Sequence, residues 1–290
     1  MTEQLVAISD TTGAELCVDT FGDPADPPVL LIAGIGSSMD LWDPQFCARL
    51  ANGRYVIRYD HRDTGRSTGC PPGAPSYTAA DLDTDPVRLL DAMGIAAAHV
   101  VGVSMGGGIA QDLAARHPER VLTLTLIATC AAGERSDPSE LPPMTPALTA
   151  VFDAPPPEPA WDDRAAVIEY LLEGEKPYLG TLPGSVDRSR RTAVAMADRS
   201  RDVAASLHNH WAAPHGEPQE PFRLADIAAP TLVVHGTRDP MFPLPHGEAL
   251  AAEIPGARFV PLEGMGHEPP PPEYWDLVVA TITDHTGGIA

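Results

Sequence analysis

The stretch His99-Val100-Val101-Gly102-Val103-Ser104-Met105-Gly106-Gly107 decides how this chain is read. β-branched residues lead into it, and a helix-like run over 109–117 leads out of it before Pro118. A serine with glycine two positions to either side suits a sharp turn from strand to helix. Side chains at those two positions would collide with the adjoining strand and helix. Such a turn lifts the hydroxyl clear of a sheet and sets it at a helix N-terminus, where negative charge is stabilised. Ser104 is therefore the candidate nucleophile. With 25 glycines in 290 residues the five-residue pattern alone is weak. Its setting, strand before and helix after, gives it weight.

Around this turn, short apolar runs recur. Strands are expected near 5–9, 15–19, 29–33, 55–59, 99–103, 122–127, 231–235 and 258–261, with helices near 43–51, 79–93, 105–117, 245–254 and 274–285. Two strands followed by repeated strand–helix units predict an α/β fold, a mostly parallel eight-stranded sheet with helices on both faces. Ligands of such sheets sit at the carboxyl ends of the strands. The rhythm breaks between 132 and 227. That stretch opens proline-rich (Pro138, Pro142, Pro143, Pro146, then Pro155-Pro156-Pro157) and continues with helical patterns over 164–172 and 192–207. The expected organisation is a core of 1–131 and 228–290, with a helical cap of 132–227 over the strand ends.

Bulk properties narrow the function. A formal net charge of −21 argues against nucleic acid and anionic membrane surfaces, which call for a positive footprint. No apolar run approaches membrane-spanning length, and the first residues lack a basic segment followed by an apolar one. A cytoplasmic protein is expected. Cys17, Cys47, Cys70 and Cys130 are widely spaced with no CxxC pair, which reads as free thiols rather than disulfides or a zinc site.

A serine hydroxyl needs a general base, and that base needs a carboxylate to hold its tautomer. His267, in Gly264-Met265-Gly266-His267-Glu268, falls in a glycine-rich loop just after the last expected strand. His235 on a strand and His117 at a helix end read as structural. His208, His210 and His215 lack an accompanying acidic motif, so no metal is expected. Asp239, in His235-Gly236-Thr237-Arg238-Asp239-Pro240, follows the strand at 231–235 and is the candidate acid. The oxyanion calls for backbone donors: the amide of Met105, next after the nucleophile, and that of Ile35, in a loop where Gly34 and Gly36 permit close approach to substrate. The triple Gly106-Gly107-Gly108 reads as helix–strand packing, not as a phosphate loop, and no cofactor is expected.

These segments carry a resemblance. With Leu30-Leu31-Ile32-Ala33-Gly34, Asp60-His61-Arg62-Asp63-Thr64-Gly65-Arg66-Ser67, Gly102 to Gly107 and Gly264 to His267 in this order, the chain resembles the α/β-hydrolases over nearly its whole length. The order Ser104, Asp239, His267 matches theirs. The segment from Asp60 to Ser67 and the opening Phe21-Gly22-Asp23-Pro24-Ala25-Asp26-Pro27 are also similar to the aclacinomycin methylesterases, which remove a methyl ester from anthracycline-like polyketides. One departure is Gly34-Ile35-Gly36 where many relatives carry His-Gly.

A serine at the turn, where relatives resembling haloalkane dehalogenases and epoxide hydrolases need an aspartate, favours acyl transfer. The resemblance implies a carboxylic ester hydrolase acting on a small-molecule ester. The same three groups also serve carbon–carbon bond hydrolases and perhydrolases, and the fold also serves as a ligand-binding receptor. Expected substrate contacts are Gly34 and Gly36 in the core and Phe152, Trp161, Tyr170 and Trp211 in the inserted region, whose aromatic groups suit a large apolar acyl group. Arg62 and Arg66 read as structural.

Overall fold

The computed structural model describes residues 3–10, 12–137, 139–217 and 219–287. Thr11, Pro138, Pro218 and the chain ends 1–2 and 288–290, which fall within the expected core and cap, lie outside the described residues.

Eight strands form one sheet in the order β1-β2-β4-β3-β5-β6-β7-β8. They are β1 (Gln4–Ala7), β2 (Glu15–Phe21), β3 (Pro28–Ile32), β4 (Tyr55–Tyr59), β5 (Ala98–Val103), β6 (Val121–Ile127), β7 (Thr231–Gly236) and β8 (Arg258–Leu262). β2 pairs antiparallel with β1 and β4; every other pairing is parallel. The loops after β3, β5, β6, β7 and β8 therefore leave the same edge. β5 and β7 are buried at every position, as strands covered on both faces must be.

Alternation along β3 divides the core. Leu30 and Ile32 pack on one face with Ile57, Leu89, Ile109 and Leu113. Val29 and Leu31 pack on the other with Trp42, Phe46, Trp275 and Ile282. Helices α2 (Ala79–Ala92), α3 (Met105–Arg116) and α8 (Pro245–Glu253) cover the first face, and α1 (Pro44–Leu50) and α9 (Trp275–Gly287) cover the second.

Among the described residues four α-helices intervene between β6 and β7: α4 (Pro146–Asp153), α5 (Arg164–Glu175), α6 (Pro183–Arg199) and α7 (Val203–Ala212). The chain leaves and rejoins the sheet side by side, for Glu134 and Arg223 form a parallel bridge with Glu134 N–H donating to Phe222 O at 2.8 Å. Two expectations change here. The continuous helix over 192–207 is split at Ser200, whose extended backbone ends α6, while the Asp202 carboxylate caps α7 by accepting from Ala205 N–H. The proline-rich opening also contains α4, because Pro146 sits at its first turn, where no amide donor is lost.

Candidate active site

β5 ends at Val103 and α3 starts at Met105, so Ser104 makes the turn alone, with φ 54° and ψ −121°. A side chain rarely adopts this backbone, and the strain is of order 1–3 kcal/mol. Surrounding bonds hold it there. The Ser104 amide donates to Ile127 O (3.0 Å), and its carbonyl accepts from Gly107 N–H (2.8 Å), Gly108 N–H (3.2 Å) and Thr129 Oγ1 (2.8 Å). The flanking glycines are required by space: a Cβ on Gly102 would lie 2.1 Å from Gly106 O, and one on Gly106 would lie 2.4 Å from Ile32 O.

Ser104 Oγ donates to His267 Nε2 at 2.9 Å, and His267 Nδ1–H donates to Asp239 Oδ2 at 2.9 Å. These partners fix the tautomer with the proton on Nδ1. Asp239 is buried, and its other oxygen accepts from Met241 N–H (2.9 Å) and Phe242 N–H (2.8 Å), so a turn after β7 aims the carboxylate. His235 lies behind it, with Nε2 3.6 Å from Asp239 Oδ2 and donating to Phe242 O at 2.7 Å. Burial holds the His235 imidazole below its ordinary pKa. Tyr178 and Phe242 flank the His267 ring at centroid distances of 6.0 and 5.3 Å, reducing its access to water.

Facing the serine is the loop after β3. A Cβ on Gly34 would sit 3.5 Å from Ser104 Cβ and 4.0 Å from its Oγ, so this backbone lies against the hydroxyl. Among the described residues, the amides of Ile35 and Met105 donate to no acceptor. Two undirected N–H groups beside a strained hydroxyl at a helix N-terminus suit a developing oxyanion.

The structure thus brings together Ser104, Asp239, His267, Gly34, Ile35 and Met105. Gly36, with φ 65°, lies against α7: its Cβ would be 3.1 Å from Ser206 O. The four aromatic side chains expected at the substrate pack in two pairs, Phe152 with Trp211 at 6.2 Å and Trp161 with Tyr170 at 5.7 Å, with His208 6.1 Å from Trp161. Phe152 and Trp211 remain 40% and 60% exposed. Among the described residues, the aromatic rings packed against His267 are those of Tyr178 and Phe242. Phe242 was within reach of sequence reasoning, three residues after Asp239 in the same loop; Tyr178 is brought in by the fold of the inserted segment. His208, His210 and His215 form no ligand set: among the described residues no group of three His, Cys, Asp or Glu is placed to hold a metal. Arg62 is absorbed by Asp85 and Asp10, both at 2.7 Å.

A serine hydroxyl, an imidazole and a carboxylate in one hydrogen-bonded chain, beside free backbone amides at the carboxyl edge of a parallel sheet, have the arrangement of a serine hydrolase. The α/β-hydrolase fold family model matches residues 27–272, and the chain belongs to that family. It is 35% identical over 278 residues to rhodomycin D methylesterase of Streptomyces peucetius, covering 91% of this chain and 92% of that one. It is 36% identical over 287 residues to rhodomycin D methylesterase of Streptomyces sp. strain C5, with the same coverage. Among solved structures, the enol-lactonase of Burkholderia xenovorans is similar with a TM-score of 0.70 and 26% identity, covering 98% of this chain and all of that one (100%). A hydrolase of Pseudomonas aeruginosa matches with a TM-score of 0.69 and 29% identity, over 99% and 98% of the two chains. Among the described residues no helix is long and apolar enough to cross a membrane.

Proposed function

We propose that this protein is a serine esterase that hydrolyses a carboxylic methyl ester on an anthracycline-like aromatic polyketide. The observation that carries ester hydrolysis is the Ser104–His267–Asp239 chain at 2.9 Å and 2.9 Å beside the unengaged Ile35 and Met105 amides. The methyl ester and polyketide are supported by likeness, at 35–36% identity over nine-tenths of the chain, to two proteins named rhodomycin D methylesterase. That likeness favours ester hydrolysis over carbon–carbon cleavage, perhydrolysis or a receptor role.

In the proposed mechanism, Ser104 Oγ attacks the ester carbonyl carbon and passes its proton to His267 Nε2. Asp239 stabilises the imidazolium, and the Ile35 and Met105 amides hold the carbonyl oxygen as it gains charge. The tetrahedral adduct collapses, the carbon–oxygen bond to the leaving group breaks, and His267 protonates the methoxide as methanol. Water, deprotonated by the same imidazole, then attacks the acyl-enzyme and releases the acid with Ser104 restored. Neither step calls on a cofactor.

Residues 132–227 act in this reading as the cap, with 1–131 and 228–290 as the core, and the aromatic groups of α4, α5 and α7 select the acyl group. Residence in the cytoplasm belongs to the same reading, supported by four unpaired cysteines. The test is incubation with a polyketide methyl ester and with short-chain acyl esters, followed by mass spectrometry. Release of the free acid, lost in Ser104→Ala, is expected. Cleavage of the short acyl esters with the methyl ester left intact overturns the substrate assignment.

A further inference from the structure

The loop that carries the Ile35 amide is gripped from both sides by histidines that the acyl-transfer steps do not use. His61, just after β4, donates from Nε2–H to Ala33 O at 3.1 Å. His210, on α7 of the inserted segment, accepts at Nδ1 from Gly36 N–H at 3.0 Å and donates from Nε2–H to Arg62 O at 2.8 Å. The two rings meet edge to face at 5.7 Å, and both are buried. Each partner set demands the same neutral tautomer, with hydrogen on Nε2. Gly36 sits at φ 65°, and a Cβ there would lie 3.1 Å from Ser206 O, so the position that bonds His210 has no room for a side chain on its α7 side. α7 is itself pinned: Ser206 Oγ donates to Asp63 O at 2.8 Å, and Asn209 Nδ2 donates to Asp63 Oδ2 at 2.8 Å.

We propose that His61 and His210 are positioning residues for the oxyanion-binding loop, one fixing the carbonyl at its start and the other the amide just past Ile35, so that a helix of the inserted segment completes the chemistry of the core. The proposal rests on the reading of Ser104 as an acylated nucleophile. An oxyanion donor is useful only when aimed before the charge forms. Two bonds, one on each side of Ile35 at residues 33 and 36, restrain the loop that carries its amide while leaving that amide free to donate.

The pairing also has an acid limit. Burial, with His210 alongside, pushes the His61 imidazole down to about 3, and burial likewise lowers His210, opposed by the Asp63 carboxylate. The groups facing the pair are Tyr59 edge-on to His61, Asp63 and the Arg62 carbonyl beside His210, and the Gly36 amide. A proton added to His210 Nδ1 would oppose the Gly36 N–H directly.

The test uses isosteres. Asparagine places its oxygen where Nδ1 stands, and glutamine places its amide nitrogen where Nε2 stands. His210→Asn and His61→Gln should therefore keep the loop bonds, whereas His210→Leu and His61→Leu remove them. The leucine variants should lose about 10- to 100-fold in kcat on the ester with KM within about twofold, short of the 10²–10³ lost when a donor itself is deleted. The isosteres should stay within about threefold of wild type. A trifluoromethyl ketone, which forms the tetrahedral adduct on serine, should lose affinity in the leucine variants in step with kcat. Equal losses in leucine and isostere variants, or leucine variants with full kcat and full ketone affinity, overturn the clamp. Should the leucine variants fail to fold, a fall in kcat beyond tenfold in the folded isosteres overturns it, and retained kcat supports it. A Ser104→Ala variant as active as wild type would instead break the nucleophile reading.

Discussion

Two halves of the segment between β6 and β7 are built from opposite materials. α6 and α7 bury polar groups: Ser185, Arg188, Ser189, Thr192, Ser206, Asn209 and His210 are all buried. Three of them, Ser185, Arg188 and His210, are spent on the loops beside His267 and Ser104, and Ser206 and Asn209 are spent on Asp63. Arg188 reaches Glu268, next to His267, at 3.1 Å, Ser185 Oγ donates to the same carboxylate at 2.8 Å, and the His267 amide itself donates to Tyr178 O at 2.8 Å. α4 and α5 bury little, with Leu148 and Val167 their buried residues. Their contacts include half-exposed rings and surface ion pairs such as Arg164 with Asp198, and among the described residues only the last of α5, Glu175, joins the buried set, accepting from Arg188 at 2.7 Å and from Ser189 Oγ at 2.6 Å. Buried directional bonds hold one geometry, while exposed aromatic groups tolerate change. In the proposed reading the inner half aims the chemistry and the outer half chooses what is brought to it.

Predictions that break or sharpen this contrast begin with the largest effect. His267→Ala should lower kcat/KM for the ester by about 10⁴-fold or more. Its melting temperature should stay near wild type, because the backbone bond to Tyr178 survives; loss of fold would mean that the imidazole is structural. Arg188→Met strands the buried Glu268 carboxylate, whose side chain is 0% exposed. Denaturant titration should show a loss of about 3–5 kcal/mol. Arg164→Met, on the outer half, should show no measurable loss. Equal effects of the two substitutions would erase the distinction between the halves.

Acid should strike the inner half next. His61 is held down to about 3 against 6.5 in an unfolded chain, so the unfolded state takes up its proton first as pH falls. The stability from keeping this ring neutral is fully present above pH 6.5 and is lost progressively toward pH 3, at about 1.4 kcal/mol per pH unit. His99, pushed down to about 4 by burial, adds a loss of the same sense. His61→Gln should flatten the slope of denaturation midpoint against pH below 6.5 relative to wild type; an unchanged slope contradicts the buried neutral ring. The smallest effect belongs outside. Trp161→Ala should raise KM for a polycyclic ester a few-fold, about 1 kcal/mol, with kcat unchanged. A fall in kcat at constant KM would place Trp161 with the inner machinery.

Much of this was legible in the sequence because it is local. The sheet follows from β-branched runs bounded by turns, and the glycine spacing around Ser104 encodes a steric requirement that the structure puts at 2.1–2.4 Å. His267 and Asp239 were reachable because each follows a strand that must end at the same edge. His61 and His210 were not: they are 149 positions apart by their numbering (210 − 61), and no local pattern in either segment points to their meeting. The role of Glu268 was not legible either, since its partner Arg188 lies on a helix whose register no local pattern specifies. The pairing of Phe152 with Trp211 and of Trp161 with Tyr170 likewise depends on how α4, α5 and α7 fold together.

The central claim, acyl transfer at Ser104, is tested most directly by hydrolysing a polyketide methyl ester in water labelled with heavy oxygen. Attack at the carbonyl predicts that the label enters the carboxylic acid and not the methanol, at a rate lost in Ser104→Ala. Label in the methanol, or labelled acid formed equally fast without the Ser104 hydroxyl, would contradict it.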